Sequence, residues 1–151
     1  MFIGSEGAFG IITEATLRIR RVPAETRYEG VMFPTYLGGL NAFRELVVRK
    51  AKADMMRLSD PQESLTNLTM AVEGMTAKAL ERYLKVRRVE GGSLAILGWE
   101  GSRTQVHSRR DDSWRVLRAH GAVSLGKKVG NGWEHGRFSG PYLRDTLLDN
   151  G

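Results

Sequence analysis

The sequence predicts an α+β domain of split βαβ, ferredoxin-like type, and three observations carry the prediction. After residue 27, strand and helix periodicities alternate as β-α-β, a less regular middle, then β-α-β again. Capping signals mark two helix starts, at Asp60 and at Ser102. A nearly continuous apolar run, Ser93-Leu-Ala-Ile-Leu-Gly-Trp99, stands between turn glycines, as in a central strand covered on both faces. With 151 residues, 41% of them apolar and 26% charged, the chain suits one globular core.

The chain opens on a loop with glycine at 4, 7 and 10, which feeds an alternating run. Ile11, Thr13, Ala15, Leu17 and Ile19 fall on one side and Ile12, Glu14, Thr16, Arg18 and Arg20 on the other, the period of a half-buried strand ending before Pro23. A polar link, Ala24 to Arg27, leads to a second strand, Tyr28 to Phe33, stopped by Pro34 and marking a boundary between two modules. Leu40, Phe43, Leu46 and Val47 then recur with helical period through Lys52, opposite Arg44, Glu45, Arg49 and Lys50.

A short strand at Met55 to Leu58 runs into Asp60-Pro61-Gln-Glu63. There Asp60 can cap, Pro61 takes the first helical position and Glu63 stands three residues after the cap. From Leu65 to Val89 the pattern is less decisive, with a turn near Gly74 and a helix-like face of Leu80, Tyr83 and Leu84. After the central run, Ser102 and Gln105 form a capping box whose helix carries Val106, Trp114 and Leu117 until Gly121 supplies a left-handed stop. Ala122 to Leu125 reads as a last strand.

Composition narrows the chemistry. The absence of cysteine excludes disulfides and thiolate ligands; with no apolar run of membrane length and no signal-like start, a soluble protein of a reducing cytoplasm is expected. A net charge of +6 and a pI near 10.0 suit an anionic partner without choosing among cofactor, phosphorylated substrate and nucleic acid. His107, His120 and His135 show no metal-ligand spacing, and exposed positions are expected for them. No Gly-x-Ser-x-Gly elbow is present. The pairs Arg20-Arg21, Arg87-Arg88 and Arg109-Arg110 lie on different predicted elements without interleaved aromatics, so solvated faces are favoured over nucleic-acid contacts.

Three glycines spaced by two residues most often serve a tight turn. The residue identities go further: Gly4-Ser-Glu-Gly-Ala-Phe-Gly10-Ile-Ile-Thr-Glu-Ala-Thr16, a basic strand and Pro23 resemble the segment that closes the FAD-binding domain of vanillyl-alcohol-oxidase/cresol-methylhydroxylase type flavoproteins. Glycines let backbone N–H groups approach a pyrophosphate or flavin ring. This is not the Rossmann fingerprint, because no helix follows the glycines. Further segments are similar to the branch of that family formed by alkylglycerone-phosphate synthases and bacterial FAD-linked oxidases: Met56 to Asp60, Leu97 to Gly101, and Trp133 to Asp145 with its Gly140-Pro141-Tyr142-Leu-Arg144.

The resemblance implies that residues 1–23 end an FAD-binding domain and that residues 24–151 form a ferredoxin-like cap, or substrate domain, incomplete at its C-terminus. Gly4, Ser5, Glu6, Gly7, Ala8, Phe9, Gly10 and Ile12 would contact FAD; Arg144 and Arg57 would bind a small anionic or phosphorylated substrate. For Arg144, placed by a short helix starting at Gly140-Pro141-Tyr142, an ordinary ion pair with Asp145 is the competing role. For Arg57 the competing role is edge-strand protection. No catalytic or metal-ligating residue is assigned.

The family's phosphate loop would precede Gly4 and its tyrosine and histidine motifs would follow Arg144. An internal piece of an FAD-dependent enzyme, inactive alone and free of flavin, is therefore expected. Unpaired Ala15, Leu17 and Ile19 would favour a homodimer through the opening strand. The alternative is a free-standing α+β module that binds an anionic partner or self-associates.

Overall fold

Nine consecutive residues from Ser93 form the strand on which the fold is built, because their apolar side chains can be buried on both faces of a sheet. The computed structural model describes residues 3–71 and 75–138. Its elements are β1 (Glu25–Phe33), α1 (Tyr36–Val48), β2 (Met55–Leu58), α2 (Pro61–Ala71), α3 (Met75–Val86), β3 (Ser93–Gly101), α4 (Arg103–Ala119), β4 (Val123–Leu125) and α5 (Gly126–Gly136). The four strands lie in the order β2-β3-β1-β4, and each neighbouring pair is antiparallel. With α1 between β1 and β2 and α4 between β3 and β4, this is the split βαβ arrangement expected, with α2 and α3 inserted between β2 and β3.

Alternation along β1 and β3 divides the interior. Val31, Phe33, Ala95, Leu97 and Trp99 pack with Ala42 and Leu46 of α1 and Val106, Trp114 and Leu117 of α4. On the other face Tyr28, Met32, Leu94 and Ile96 meet Leu80 and Leu84 of α3 and Val129 and Trp133 of α5. Each large apolar side chain buried in this way contributes roughly 1.5–3 kcal/mol. The sheet is thus covered on both sides.

Local signals act where the sequence places them. The Asp60 carboxylate accepts from the Glu63 amide at 2.8 Å and starts α2. At α4 both halves of the Ser102–Gln105 capping box are formed. Gly121, at φ +74°, ends that helix while the amides of Gly121 and Ala122 donate to the carbonyls of Arg118 and Leu117.

Two expectations are corrected. The alternating run from Ile11 to Arg20 pairs with no strand of the described sheet, and Ile11, Leu17 and Ile19 are 90%, 73% and 87% exposed. Alternation prepares a segment for a sheet, but a strand exists only where a neighbour completes the ladder. The face of α1 that packs is Gly39, Ala42 and Leu46 with Phe43, while Leu40 and Val47 are largely exposed. The helix turns its small residues inward because it lies so close to the sheet: a Cβ on Gly39 would come 2.8 Å from a Leu58 methyl and 3.1 Å from the Phe33 ring.

One helix, α5, goes unannounced in the sequence because four of its eleven residues are glycine. Tertiary contact replaces propensity there: a Cβ on Gly130 would stand 2.3 Å from the Tyr28 carbonyl carbon, so only glycine lets the helix rest on β1. The predicted turn near Gly74 and the short helix from Gly140 lie outside the described residues. Among the described residues no helix is long and apolar enough to cross a membrane.

Candidate functional site

The glycine loop is a chain of tight turns. The Ala8 amide donates to the Ser5 carbonyl at 2.9 Å and the Gly10 amide to the Gly7 carbonyl at 3.2 Å. Gly4, Gly7 and Gly10 have φ of +85°, +86° and +132°, a region that side chains resist, and Glu6 joins them at +49°. Among the described residues, a Cβ on any of the three glycines would meet nothing within 4 Å. The glycines therefore serve the backbone's own conformation, and Ser5 alone in this loop, from Gly4 to Ile12, is even half-buried.

Arg57 lies on β2, an edge strand, paired in register with Ile96 of β3. Its guanidinium is half-exposed and ion-paired with Glu63 in the first turn of α2, through one Nη. The charge therefore sits where it can both discourage further strand pairing and offer donors to an anion. Arg144 lies outside the described residues.

A polar cluster that sequence reasoning missed occupies the α4 side of β1. Glu29 is buried, at 1% exposure, and its two oxygens are fully engaged. Oε1 accepts from Arg27 Nε at 2.6 Å and Arg110 Nε at 2.7 Å, and Oε2 accepts from Trp114 Nε1 at 2.9 Å. Burial pushes the Glu29 carboxyl up, but the hydrogen bonds from Arg110, Trp114 and Arg27 outweigh it and hold it below the usual range. A glutamate inside an otherwise apolar strand was the available signal. Arg109, its neighbour on α4, pairs with Asp54 at 2.8 Å. Burial likewise pushes Asp54 up, and the bonds from Arg109 and the Glu100 amide hold it down. The Arg109-Arg110 pair, expected to be a solvated face, therefore ties α4 to the sheet.

The histidines also differ from expectation in one case. His107 is exposed, 3.8 Å from Glu25, and His135 is exposed with Nδ1 2.7 Å from the Asn131 carbonyl. His120 is half-buried and joins the end of α4 to α1 through Glu45 at 2.7 Å. That hydrogen bond lowers the Glu45 carboxyl, against the opposing effect of burial and with help from the Arg49 charge. Among the described residues no group of three His, Cys, Asp or Glu is placed to hold a metal ion.

No protein-family model matches the chain. It is 35% identical to the alkyldihydroxyacetonephosphate synthase of Trypanosoma brucei brucei over 156 aligned residues, 98% of this chain, and 32% identical to that of Dictyostelium discoideum over 158, 99% of it. Both of these relatives are alkyldihydroxyacetonephosphate synthases. The Caenorhabditis elegans synthase is 24% identical across 160 aligned residues. Two solved structures of alkyldihydroxyacetonephosphate synthase superpose with TM-scores of 0.78 and 0.74 at 30% and 33% identity, each over 97% of this chain. The α+β fold described above thus matches a domain of the synthase. The chain spans about a quarter of the length of the curated synthases, 25% and 26%, and 29% and 28% of the two solved chains.

Proposed function

We propose that this chain serves an FAD-dependent enzyme of alkylglycerone-phosphate-synthase type, contributing a cofactor-contacting loop and a substrate-covering domain. The observation that carries the reading is the backbone of residues 4–10. Three glycines hold left-handed conformations, and a Cβ on any of them would meet open space. Such a loop costs conformational entropy and gains no glycine-specific contact among the described residues, which suits a surface completed by a ligand. Similarity to the synthases over nearly the whole chain supports the same reading.

In this reading Gly4, Ser5, Glu6, Gly7, Ala8, Phe9, Gly10 and Ile12 lie against FAD, residues 1–23 belong to its domain and residues 24–151 cover the substrate. FAD, when bound, supplies the electron chemistry. Arg57 and Arg144 hold the anionic group of a small phosphorylated substrate through forked donors. No residue of the chain is assigned to proton transfer.

The gene's longest reading frame provides the test. The purified protein should carry a visible flavin absorption band, and Gly7→Val should lower its flavin content severalfold while leaving the cap folded. Arg57→Ala should raise KM for the phosphorylated substrate with flavin content unchanged. A colourless wild-type protein, or Gly7→Val with full flavin, overturns the assignment of the loop.

A further inference from the structure

A second cationic feature stands at the opposite edge of the sheet from Arg57. A cavity of about 280 Å³ opens beside β4, lined by Tyr83 of α3 and Arg87 in the turn that follows it, by Arg110, Trp114 and Arg118 of α4, and by Ser124 of β4. Among the described residues no acidic side chain lines it. Arg110, Trp114 and Arg118 are spaced by four and share one helix face, and both guanidiniums lie 5.7 Å from the Trp114 ring. Arg87 sits 5.6 Å from the Tyr83 ring. Tyr83 in turn donates its hydroxyl to the Ser124 carbonyl at 3.0 Å, which ties α3 to β4 across the pocket.

These guanidiniums are held rather than merely exposed. Arg110 Nε is anchored by buried Glu29 and its Nη1 lies 3.2 Å from Asp111, leaving its other terminal nitrogen for a ligand. Among the described residues Arg87 and Arg118 have no carboxylate partner. Ser124 Oγ accepts from the Gly126 amide at 3.2 Å, so its own proton is available. Three permanent cations placed by aromatic faces and a hydroxyl donor around one concavity match a tetrahedral dianion. The volume falls just below the roughly 300–1,000 Å³ of sites for drug-sized ligands, which selects a small group.

We propose that this pocket is an anion site that binds a phosphate monoester group through Arg87, Arg110, Arg118 and Ser124. The phosphate can belong to a soluble small molecule or to a lipid headgroup, and one chemistry serves both. The site is independent of the reading of the glycine loop, since it uses no residue from it.

The full chain, titrated with inorganic phosphate at constant ionic strength, should show saturable shifts of the Arg87, Arg110 and Arg118 Nε–Hε signals. Arg87→Gln/Arg118→Gln should weaken that binding by about tenfold or more, the weight of one or two charge-assisted hydrogen bonds. Its thermal melt should match the wild type. Arg118→Gln alone, with a smaller loss, guards against a misfolded double variant. Co-sedimentation with phosphatidylcholine vesicles carrying phosphatidic acid, lost in the double variant, would assign the phosphate to a headgroup; binding of inorganic phosphate without vesicle binding would assign it to a soluble ester. Shifts reproduced by acetate or chloride, saturation only by an acidic peptide, or a double variant that binds as the wild type does would overturn the site.

Discussion

Glu29 and Arg110 meet at 2.7 Å although 81 residues separate them, and this contact locks α4 onto β1. Both Glu29 oxygens accept hydrogen bonds and the carboxylate is almost wholly buried; glutamine keeps one acceptor oxygen but puts an NH2 in place of the other and leaves the Arg27 and Arg110 guanidiniums without their counter-charge. Glu29→Gln should cost roughly 2–4 kcal/mol, toward the low side for a broken buried pair because Arg27 and Arg110 keep some solvent. Urea unfolding of wild type and variant measures the loss; a difference under about 0.5 kcal/mol would make the cluster incidental.

The same carboxylate sets an acid limb. Its folded pKa lies below the ordinary 4.5, so its stabilising contribution is complete above that value and is lost as pH falls through the folded pKa. Thermal melts from neutral pH down to acid should therefore show Tm falling below about pH 4.5, less steeply in Glu29→Gln. Asp54, held below its ordinary 3.8, adds a slope of the same sign, so the variant's profile should flatten without becoming level. Identical slopes in wild type and Glu29→Gln would refute the linkage.

At Gly130 the helix α5 touches the backbone of β1 with no room to spare. A methyl there would stand 2.3 Å from the Tyr28 carbonyl carbon and 2.5 Å from the Glu29 amide nitrogen, atoms of a central strand that cannot swing aside. Gly130→Ala should cost about 1–3 kcal/mol despite raising helix propensity. Gly132, where a Cβ meets open space, provides the control: Gly132→Ala should be neutral or stabilising.

Ser113 is small, buried and structural. Trp99 Nε1 donates to its hydroxyl at 3.1 Å, and that hydroxyl lies 2.6 Å from the Ala51 carbonyl. Ser113→Ala leaves an indole N–H unsatisfied in the core and should cost about 1–3 kcal/mol. Calorimetry of the variant against wild type tests this, with an unchanged Tm counting against the bond.

The exposed opening segment makes a statement about assembly. Ile11, Leu17 and Ile19 carry the alternation of a strand without a neighbour in the described sheet, so a second chain can supply the ladder. Sedimentation of the chain should show concentration-dependent dimers, and Leu17→Lys/Ile19→Lys should abolish them. A monomer at all concentrations removes the segment from consideration as an interface.

How far the fold was legible follows the range of the forces involved. Helix starts at Asp60 and Ser102, the stop at Gly121 and the doubly buried run of β3 were readable because caps and periodicities act among residues a few positions apart. The glycine loop was legible as a conformational element, and its assignment to a cofactor came from likeness to a family. Arg57 was readable as an edge charge, whereas its pairing with Glu63 depends on the turn between β2 and α2 that brings residues six apart together.

Partner choice across the chain was not legible. Arg87 and Arg110 stood on separate predicted elements, and only the packing of α3 and α4 around β4 brings them with Arg118 to one cavity. Glycine-rich α5 looked unlike a helix until β1 offered it a surface that glycine alone can approach. The alternating opening run looked like a strand, yet no partner edge in the described sheet receives it. Local backbone preference is written in neighbouring residues, but burial, ion pairing and strand pairing depend on which distant surfaces meet.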